Sequence, residues 1–277
     1  MRRARFAILY TTMVSLCYLA PLLYLTERSF HARDPLGGFG AGYGLDGWIG
    51  LTSPSTMTVL FRSLGMACMV TVVSLLLAVP VALLIRRIPA KFRRWVLLII
   101  WLPLFMNSLL FAYGYVILLR RDGPLNDLLR ILGRTAEPLA FLSTPEAVML
   151  GLVSAFFSFC FIPVYAGLTR LEKKWMAVAS DLGASPWQTT RWVLLPMLRP
   201  SLLAGAALVF IPMLGEFLVP DILGGGKIAT YGTYIRLQFT SYANWPQGAT
   251  LAVVLVWFGV GLQMWMLRRA GGEGSTA

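Results

Sequence analysis

Residues 171–200 read LEKKWMAVASDLGASPWQTTRWVLLPMLRP. The stretch is too polar for a membrane span and too long for a turn, and an apolar run lies on either side of it. Across residues 171–182, charged and apolar side chains alternate with the spacing of a short amphipathic helix. Gly183 then supplies the backbone freedom that ends a helix. The pattern predicts a structured element between two membrane spans.

A second helix is predicted after the glycine. Ser185 is a good N-cap, Pro186 suits the first helical position, and Gln188 has the spacing that completes a capping box. This helix is expected to run to about Leu195, after which Pro196 bends the chain into the next apolar run. The residues alone fit a plain connecting loop and a docking element equally well.

The composition restricts the class of protein. Hydrophobic residues make up 57% of the 277 residues and charged residues only 13%. Such a chain cannot hide its long uncharged runs from water as a soluble domain, so a polytopic membrane protein is predicted. Each cysteine (Cys17, Cys68 and Cys160) lies in an apolar run, so neither a disulfide framework nor a metal site is expected. With His31 as the one histidine, the chain lacks the residue cluster that a membrane enzyme needs.

Six apolar runs are long enough to cross a hydrocarbon core of about 30 Å as helices. The first run follows three arginines, as in a signal peptide, but it is longer than a signal peptide's apolar region and no small-residue cleavage site follows it. A retained first span is therefore expected. The six predicted spans are residues 6–26, 63–85, 95–119, 147–168, 201–220 and 250–267.

The spans suggest how the chain is divided. Residues 1–58 are expected to hold the first span and a flexible, Gly-rich periplasmic loop. Residues 59–270 hold the other five spans with the cytoplasmic loop at 171–200, and residues 271–277 form a short cytoplasmic tail. One outer loop contains an amphipathic stretch at 124–132, which fits the outer membrane surface or a soluble partner. Packing of its leucines on the spans is the simpler expectation.

Charge assigns the two sides of the membrane. With a cytoplasmic N-terminus, the inner segments carry fifteen basic and three acidic residues, and the outer segments carry nine basic and eight acidic residues. By the positive-inside rule, both termini and the 171–200 loop are then cytoplasmic. Topology explains the basic excess, so membrane lipid is an expected partner and nucleic acid is not.

The 171–200 stretch resembles the cytoplasmic EAA loop of permease subunits of binding-protein-dependent ABC importers. Gly183 and the end of the motif, Val193-x-Leu195-Pro196, match at the family's spacing. The family's Glu-Ala-Ala triplet is Ala177-Val178-Ala179 here, so the usual glutamate is missing. In the family this loop forms the coupling helix that docks into the ATP-binding subunit.

The resemblance implies a set of residues that couple this chain to the ATPase. They are Ala177, Ala179, Asp181, Gly183, Ala184, Pro186, Trp187, Leu195 and Pro196. Because alanine replaces the glutamate, docking is expected to depend more on other apolar and basic side chains. These are Lys173, Lys174, Met176, Trp187 and Arg191.

Glu216 is the only ionisable residue well inside a predicted span. Burying its charge is costly unless the carboxylate faces a wet cavity or a partner. Pro212, Gly215 and Pro220 are expected to loosen the helix around it. A carboxylate that lines a cation pathway and one that holds the helix bundle together remain equally open. The span aromatics expected to add cation–π contacts are Trp101, Phe105, Tyr113 and Tyr115.

A narrower resemblance comes from residues 181–189, 208–226 and 244–250, which read DLGASPWQT, LVFIPMLGEFLVPDILGGG and NWPQGAT. They are similar to the spermidine/putrescine branch of ABC permeases. The resemblance implies an all-α membrane protein with six transmembrane helices, the type I ABC importer permease fold, in a bacterial inner membrane. The implied function is polyamine uptake by ATP-driven alternating access. Related permeases for ferric iron, thiamine or sulfate share the loop and much of the layout.

The same resemblance implies several partners. They are two copies of an ATP-binding subunit that binds ATP and Mg²⁺, a second homologous permease subunit, and an extracytoplasmic substrate-binding protein. No cofactor is expected in this chain, and no Gly-x4-Gly-Lys-Ser/Thr motif occurs in it. A secondary transporter or channel would need coupling-ion groups in the spans and no docking loop, so both are less favoured.

Overall fold

The computed structural model describes residues 2–133 and 137–271, whose regular elements are helices apart from one small β-hairpin. The predicted tail at 271–277 lies outside the described residues except for Gly271. The elements are α1 (Arg2–Arg28), β1 (His31–Arg33), β2 (Phe39–Tyr43), α2 (Asp46–Ile49), α3 (Pro54–Arg87), α4 (Ala90–Phe105), α5 (Ser108–Leu119), α6 (Pro124–Ile131), α7 (Pro145–Arg170), α8 (Lys173–Asp181), α9 (Pro186–Thr189), α10 (Leu195–Met197), α11 (Arg199–Gly215), α12 (Leu218–Leu223), α13 (Tyr231–Thr240) and α14 (Trp245–Gly271).

The chain forms two compact units. One combines Met1–Phe61 with Tyr231–Gly261, and the other combines Arg62–Thr230 with Leu262–Ala277. The predicted coupling and pathway residues all belong to the second unit.

Three helices, α3, α7 and α14, are long and apolar enough to cross a membrane individually. Two bent pairs raise the number to as many as five, since α4 continues into α5 and α6, and α9 and α10 continue into α11. Helix α1, with 27 residues, is not among these five. With α1 added, the number of candidate helices reaches at most six, which is the number of spans predicted.

The apolar run at 95–119 is not the single helical span that was predicted. The segment that begins with α5 is bent by 109° relative to α4. Pro103 lies in the last turn of α4 and has no N–H to donate, and Met106 is extended. The side chain of Asn107 then accepts a hydrogen bond from the N–H of Leu109 at 2.8 Å and starts α5.

The run at 201–220 is broken in the same way, which corrects the prediction of one span. Helix α11 ends at Gly215, Glu216 is extended with φ −71° and ψ 127°, and α12 begins after Phe217. Pro212 lies in the last turn of α11. The predicted loosening of this helix by its proline is therefore confirmed as a complete break.

Helix α7 is the centre of the second unit, where it packs against α4, α5, α11 and α12. Phe161 and Val164 of α7 and Met213 of α11 are fully buried. The two helices approach closely at Gly205, where an added Cβ would lie 3.1 Å from the carbonyl oxygen of Cys160. Small residues at such contacts let membrane helices pack backbone against backbone.

The amphipathic stretch at 124–132 forms α6, but its leucines do not all pack as expected. Leu128 and Leu132 are 52% and 62% exposed. The helix is instead held by buried Asn126, whose side-chain amide donates to the carbonyl of Leu139 at 3.0 Å and accepts from its N–H at 2.9 Å. A buried amide needs such partners, and here they fix α6 to the loop that follows it.

In the first unit, the Gly-rich region after α1 is not a flexible connection. Strand β1 pairs antiparallel with β2, with His31 opposite Tyr43, and α2 and a 3₁₀ turn at Gly50–Thr52 follow. Arg33 donates to the carbonyl of Tyr242 at 3.0 Å, which ties the hairpin to the segment after α13.

His31 links the hairpin to the end of α1. Its Nε2 lies 2.7 Å from Oε1 of Glu27, and its Nδ1 lies 3.0 Å from the carbonyl oxygen of Gly40. Both partners accept hydrogen bonds and a neutral imidazole has one N–H, so only the imidazolium makes both contacts. Arg28 and Tyr43 also contact the Glu27 carboxylate, at 3.3 and 3.4 Å. The Gly40 carbonyl and the Glu27 carboxylate raise the pKa of His31, and His31 lowers the pKa of Glu27.

We expect the attachment of this hairpin to weaken at alkaline pH. The contribution of His31 to stability is complete below the ordinary histidine pKa of about 6.5 and is lost as pH rises through its raised pKa. The contribution of Glu27 is lost as pH falls through its lowered pKa. Hydrogen exchange of residues 39–43, corrected for the intrinsic exchange rate, should show less protection at pH about 9 than at pH about 6. His31→Gln should remove this difference. Equal protection at the two pH values in the wild-type chain would contradict the role of His31 in holding the hairpin to α1.

Candidate functional site

The glycine turn of the 171–200 stretch has the predicted geometry. Helix α8 ends before Gly183, which has φ +82°. The N–H of Gly183 donates to the carbonyl of Ser180 at 2.9 Å, and the N–H of Ala184 donates to that of Ala179 at 3.0 Å, which is the Schellman pattern. A Cβ added at Gly183 would meet nothing within 4 Å. The left-handed backbone alone therefore requires glycine here.

The predicted capping box is also confirmed. The N–H of Ser185 donates to Oε1 of Gln188 at 2.8 Å, and the N–H of Gln188 donates to Oγ of Ser185 at 3.3 Å. The prediction of one regular helix up to about residue 195 is wrong. A π-helical turn at Thr190–Leu194 separates α9 from α10. Pro196 has no N–H for the carbonyl four residues before it, and a widened turn precedes the proline.

We call residues 171–200 the coupling loop. Its predicted docking residues differ in accessibility. Exposed positions are Ala177, Asp181, Gly183, Pro186, Trp187 and Pro196. Ala184 and Leu195 are half-buried. Ala179 is buried, so it supports the loop from inside and is not available to a partner.

The coupling loop presents large apolar side chains to its surroundings. Leu182, Trp187 and Trp192 are 83%, 68% and 70% exposed. Leu182 and Trp192 also line a shallow depression of about 360 Å³ beside the glycine turn. Exposed aromatic groups around a depression are typical of protein interfaces. Trp192 was not among the predicted docking residues.

The basic side chains of the loop lie beside its aromatic rings. Nζ of Lys174 is 2.6 Å from Oε2 of Glu172 and 5.6 Å from the ring centre of Trp175. The guanidinium of Arg191 is 5.4 Å from the ring centre of Trp192. Glu172 is therefore already paired with a lysine and does not simply replace the glutamate missing at position 177. The side chain of Lys173, also expected to contribute, lies outside the described part.

Arg86 connects the end of α3 to the start of the coupling loop. Its guanidinium donates to the carbonyl oxygens of Leu168 and Leu171 at 3.3 and 2.9 Å. Leu168 lies in the last turn of α7 and Leu171 is its C-cap, where carbonyls lack the usual partners of a helix interior; the carbonyl of Leu168 also accepts the N–H of Leu171 at 3.3 Å. Sequence reasoning counted Arg86 only as an inner positive charge. The available signal was a basic residue at the cytoplasmic end of a predicted span, where it can reach the carbonyls at the end of a neighbouring span.

A cavity of about 310 Å³ lies where the two broken spans meet. The ends of α4 and α11, the starts of α5 and α12, and the middle of α7 form its wall. The lining residues are Pro103, Leu104, Met106, Ser108, Phe111, Ala155, Phe156, Phe159, Pro212, Glu216 and Val219.

Glu216 is half-buried on the wall of this cavity. Its Oε1 accepts hydrogen bonds from the N–H groups of Leu218 and Val219, at 2.8 and 3.3 Å, so the carboxylate caps the start of α12. Oγ1 of Thr230 donates to the main-chain carbonyl of Glu216 at 2.9 Å. Glu216 thus caps a helix and faces a cavity, and its role in a cation pathway stays a prediction.

The predicted aromatic residues are not on this wall. Phe105 and Tyr113 are 83% and 53% exposed, and Trp101 and Tyr115 are half-buried, but none of them lines the cavity. Their role in a pathway remains a prediction.

The rings that do line the cavity are Phe111, Phe156 and Phe159, which sequence reasoning missed. A signal for the cavity itself was present, because Pro103 precedes Asn107 by four residues and Pro212 precedes Glu216 by four. Two proline-interrupted apolar runs are a known pointer to a binding site in membrane transporters.

The arrangement suits a cation. Apart from Ser108, the other side chains on this wall are apolar. A carboxylate in such surroundings attracts positive charge more strongly than it would in water, because they screen it less. The neighbouring phenyl rings offer negative faces to a cation. An anion would meet repulsion from Glu216 at the same place.

Comparison with known proteins agrees with this geometry. Residues 72–269 match the family described as "Binding-protein-dependent transport system inner membrane component". Over 235 residues the chain is 35% identical to the spermidine/putrescine transport system permease protein PotB of Escherichia coli (strain K12), which covers 85% of this chain and 86% of that one. It is 33% identical over 237 residues to PotB of Haemophilus influenzae, with 86% and 83% covered. The predicted resemblance to the polyamine branch is confirmed.

Solved structures show the same fold. A bacterial ABC transporter involved in the import of the acidic polysaccharide alginate contains a chain that matches with a TM-score of 0.72 and 20% identity, covering 99% of this chain and 96% of that one. The MetNI methionine ABC transporter, in an inward-facing conformation, matches with a TM-score of 0.55 and 20% identity, covering 80% and 99%. At this identity the likeness concerns the fold alone.

The predictions of an all-α membrane protein with the type I ABC importer permease fold, and of a transport subunit that is not an enzyme, are confirmed. The small hairpin is the only departure from all-α among the described residues. The chain belongs to the family of multi-pass inner membrane components of binding-protein-dependent transport systems.

Proposed function

We propose that this chain is a permease subunit of an ATP-driven importer of polyamines. The observation that carries the proposal is Glu216, the one carboxylate on a cavity wall rich in apolar side chains at the junction of two broken spans. The relatives named above as spermidine/putrescine permeases support the same cargo. A polyamine is a chain of ammonium groups joined by methylenes, so it offers both a cation for Glu216 and apolar surface for the surrounding rings.

Other solutes fit the cavity less well. Sulfate is an anion, and Glu216 would repel it. Ferric iron is usually held by several oxygen ligands, whereas Glu216 is the one carboxylate among the residues that line this cavity. Thiamine, a cation with an aromatic ring, is the competitor that remains chemically compatible.

The proposed complex contains partners that this chain requires. Two copies of an ATP-binding subunit bind ATP and Mg²⁺, a second homologous permease completes the pathway, and an extracytoplasmic binding protein delivers the solute. Both termini and the coupling loop face the cytoplasm in this proposal, as the distribution of charge favours. Support for the binding protein comes from a neighbouring structure, the alginate transporter in complex with its substrate-bound periplasmic protein.

A direct mechanical route joins the coupling loop to the cavity. Helix α11 starts at Arg199, at the end of the coupling loop, and ends at Gly215, next to Glu216. Its 17 residues form a rod about 25 Å long. ATP-driven movement of the coupling loop tilts this rod, and the cavity opens outward and then inward in alternation.

The experiment that tests the function is purification of the tagged chain from its own host, followed by identification of co-purifying proteins. ATPase activity is then measured with and without spermidine, putrescine and thiamine. We expect an ATPase, a second permease and stimulation by polyamines. An ATPase complex that responds only to thiamine would show that the solute is thiamine and not a polyamine. A chain that purifies alone would favour a channel or secondary transporter.

Gly183 should be needed for coupling and not for assembly. An L-residue in its left-handed conformation costs roughly 1–2 kcal/mol, enough to change a conformational equilibrium roughly 5–30-fold. We expect Gly183→Ala to reduce uptake per ATP hydrolysed, Gly183→Pro to reduce it further, and Gly183→Asn to retain most of it because asparagine tolerates this conformation. ATPase and uptake rates at equal membrane protein content provide the measurement. Normal coupling in Gly183→Pro would reject the role of the turn.

Glu216→Gln should lower polyamine uptake without loss of protein. Glutamine keeps an oxygen that can cap α12 but removes the charge, so we expect uptake to fall by roughly tenfold, the effect of about 1.4 kcal/mol. Glu216→Ala removes both functions and should also lower thermal stability. Glu146→Gln, an exposed carboxylate at the start of α7, serves as the matched control. Unchanged uptake in Glu216→Gln would leave Glu216 with the helix cap alone.

A further inference from the structure

A second, almost wholly apolar groove lies beside the coupling loop and is distinct from the Glu216 cavity. Its volume is about 410 Å³. One side is a face of α3, and the other is formed by the coupling loop and α11. The lining residues are Leu75, Leu76, Val79, Pro80, Leu83, Trp187, Thr190, Leu195 and Leu202.

The groove is open. Leu76 on α3 and Trp187 on the coupling loop are 69% and 68% exposed. Since α3 is long and apolar enough to span the membrane, the groove floor lies at the level of hydrocarbon. Its occupant therefore has an apolar part.

Three arginines lie next to lining residues of this groove along the chain. Arg87 lies one helical turn beyond Leu83 on α3, Arg191 directly follows Thr190, and Arg199 lies one helical turn before Leu202 on α11. All three side chains are exposed.

These arginines are not used by the described part of the chain to form ion pairs. Arg87 and Arg199 have no carboxylate partner among residues 2–133 and 137–271, and Arg191 stacks on Trp192. Neighbouring Arg86 differs from them, because its guanidinium is held by the carbonyls of Leu168 and Leu171. The rim of the groove thus offers positive charge to an outside ligand.

We propose that this groove binds an anionic phospholipid of the inner leaflet. An acyl chain fills the apolar floor between α3 and the coupling loop, and the headgroup phosphate is held by Arg87, Arg191 and Arg199. Basic pockets between membrane helices on the cytoplasmic side bind such headgroups. The inference rests on the proposed function in one respect, the cytoplasmic placement of the coupling loop.

Charge favours a lipid over a helix of the second permease as the occupant. A homologous permease follows the same positive-inside rule, so its cytoplasmic helix ends would bring further positive charge toward three arginines. An anionic headgroup brings the opposite charge. It also supplies several oxygen acceptors, which suit the planar fork of donors on each guanidinium.

The lipid would form part of the coupling machinery. Trp187 belongs to the coupling loop, and Leu76 and Leu83 belong to α3, so one acyl chain contacts both. A filled groove supports the coupling loop from the membrane side, and an empty one leaves Trp187 without that contact. Coupling of ATP hydrolysis to transport should therefore depend on anionic lipid.

The test is native mass spectrometry of the purified full chain and of its assembled complex after delipidation. Phosphatidylglycerol and phosphatidylcholine with identical acyl chains are added separately. We expect one phosphatidylglycerol per chain, retained roughly tenfold better than phosphatidylcholine. The combined Arg87→Gln, Arg191→Gln and Arg199→Gln variant should lose this preference. Val79→Trp, which fills the groove, should lower retention of both lipids.

The matched control removes the same charge elsewhere, through Arg62→Gln, Arg121→Gln and Arg130→Gln, and should keep the preference for phosphatidylglycerol. Equal retention of the two lipids, or an equal loss in the control, would overturn the proposal. So would a crosslink from position 76 to the second permease that excludes lipid from the complex. The binding measurement needs neither cargo nor ATP, so its failure leaves polyamine import standing, and a failure of import leaves lipid binding standing.

Discussion

A helix that breaks inside hydrocarbon releases N–H and C=O groups that no water can satisfy. In the second unit this happens twice, and side chains next to the breaks provide partners. Asn107 caps α5, Glu216 caps α12, and Thr230 donates to the main-chain carbonyl of Glu216. Of these three groups Glu216 also lines the cavity, so one carboxylate both caps a helix start and gives the cavity a negative charge.

The transport cycle needs a cavity that is connected mechanically to a motor outside the membrane. In the proposed function helix α11 provides this connection, since the coupling loop leads into one end of it and Glu216 follows the other. Its contacts with α7 are tight, with Gly205 permitting close approach. The π-helical turn at Thr190–Leu194 stands between the exposed aromatic surface of the coupling loop and this rod. Such widened turns often occur at functional hinges.

The parts of the fold that local rules determine could be predicted, and those that depend on packing could not. Gly183 and the Ser185 capping box follow from requirements of a few neighbouring residues, and the structure has both. A proline such as Pro103 is compatible with either a kinked or a broken span, so the 109° bend was not predictable from it. Phe111 reaches the cavity only because α5 turns back at that bend. Glu216 was found because charge within an apolar run is rare, whatever the packing.

Arg86 reaches from the end of α3 to the end of α7 and donates to the main-chain oxygens of Leu168 and Leu171. Every amino acid at those two positions supplies the same carbonyl. This hydrogen bond therefore constrains only position 86, whereas Leu168 is constrained separately because its side chain is buried in the core. Methods that infer contacts from correlated substitutions would find no signal for this pair of helix ends. Arginine at position 86 would instead stand out as a preference that no partner side chain explains.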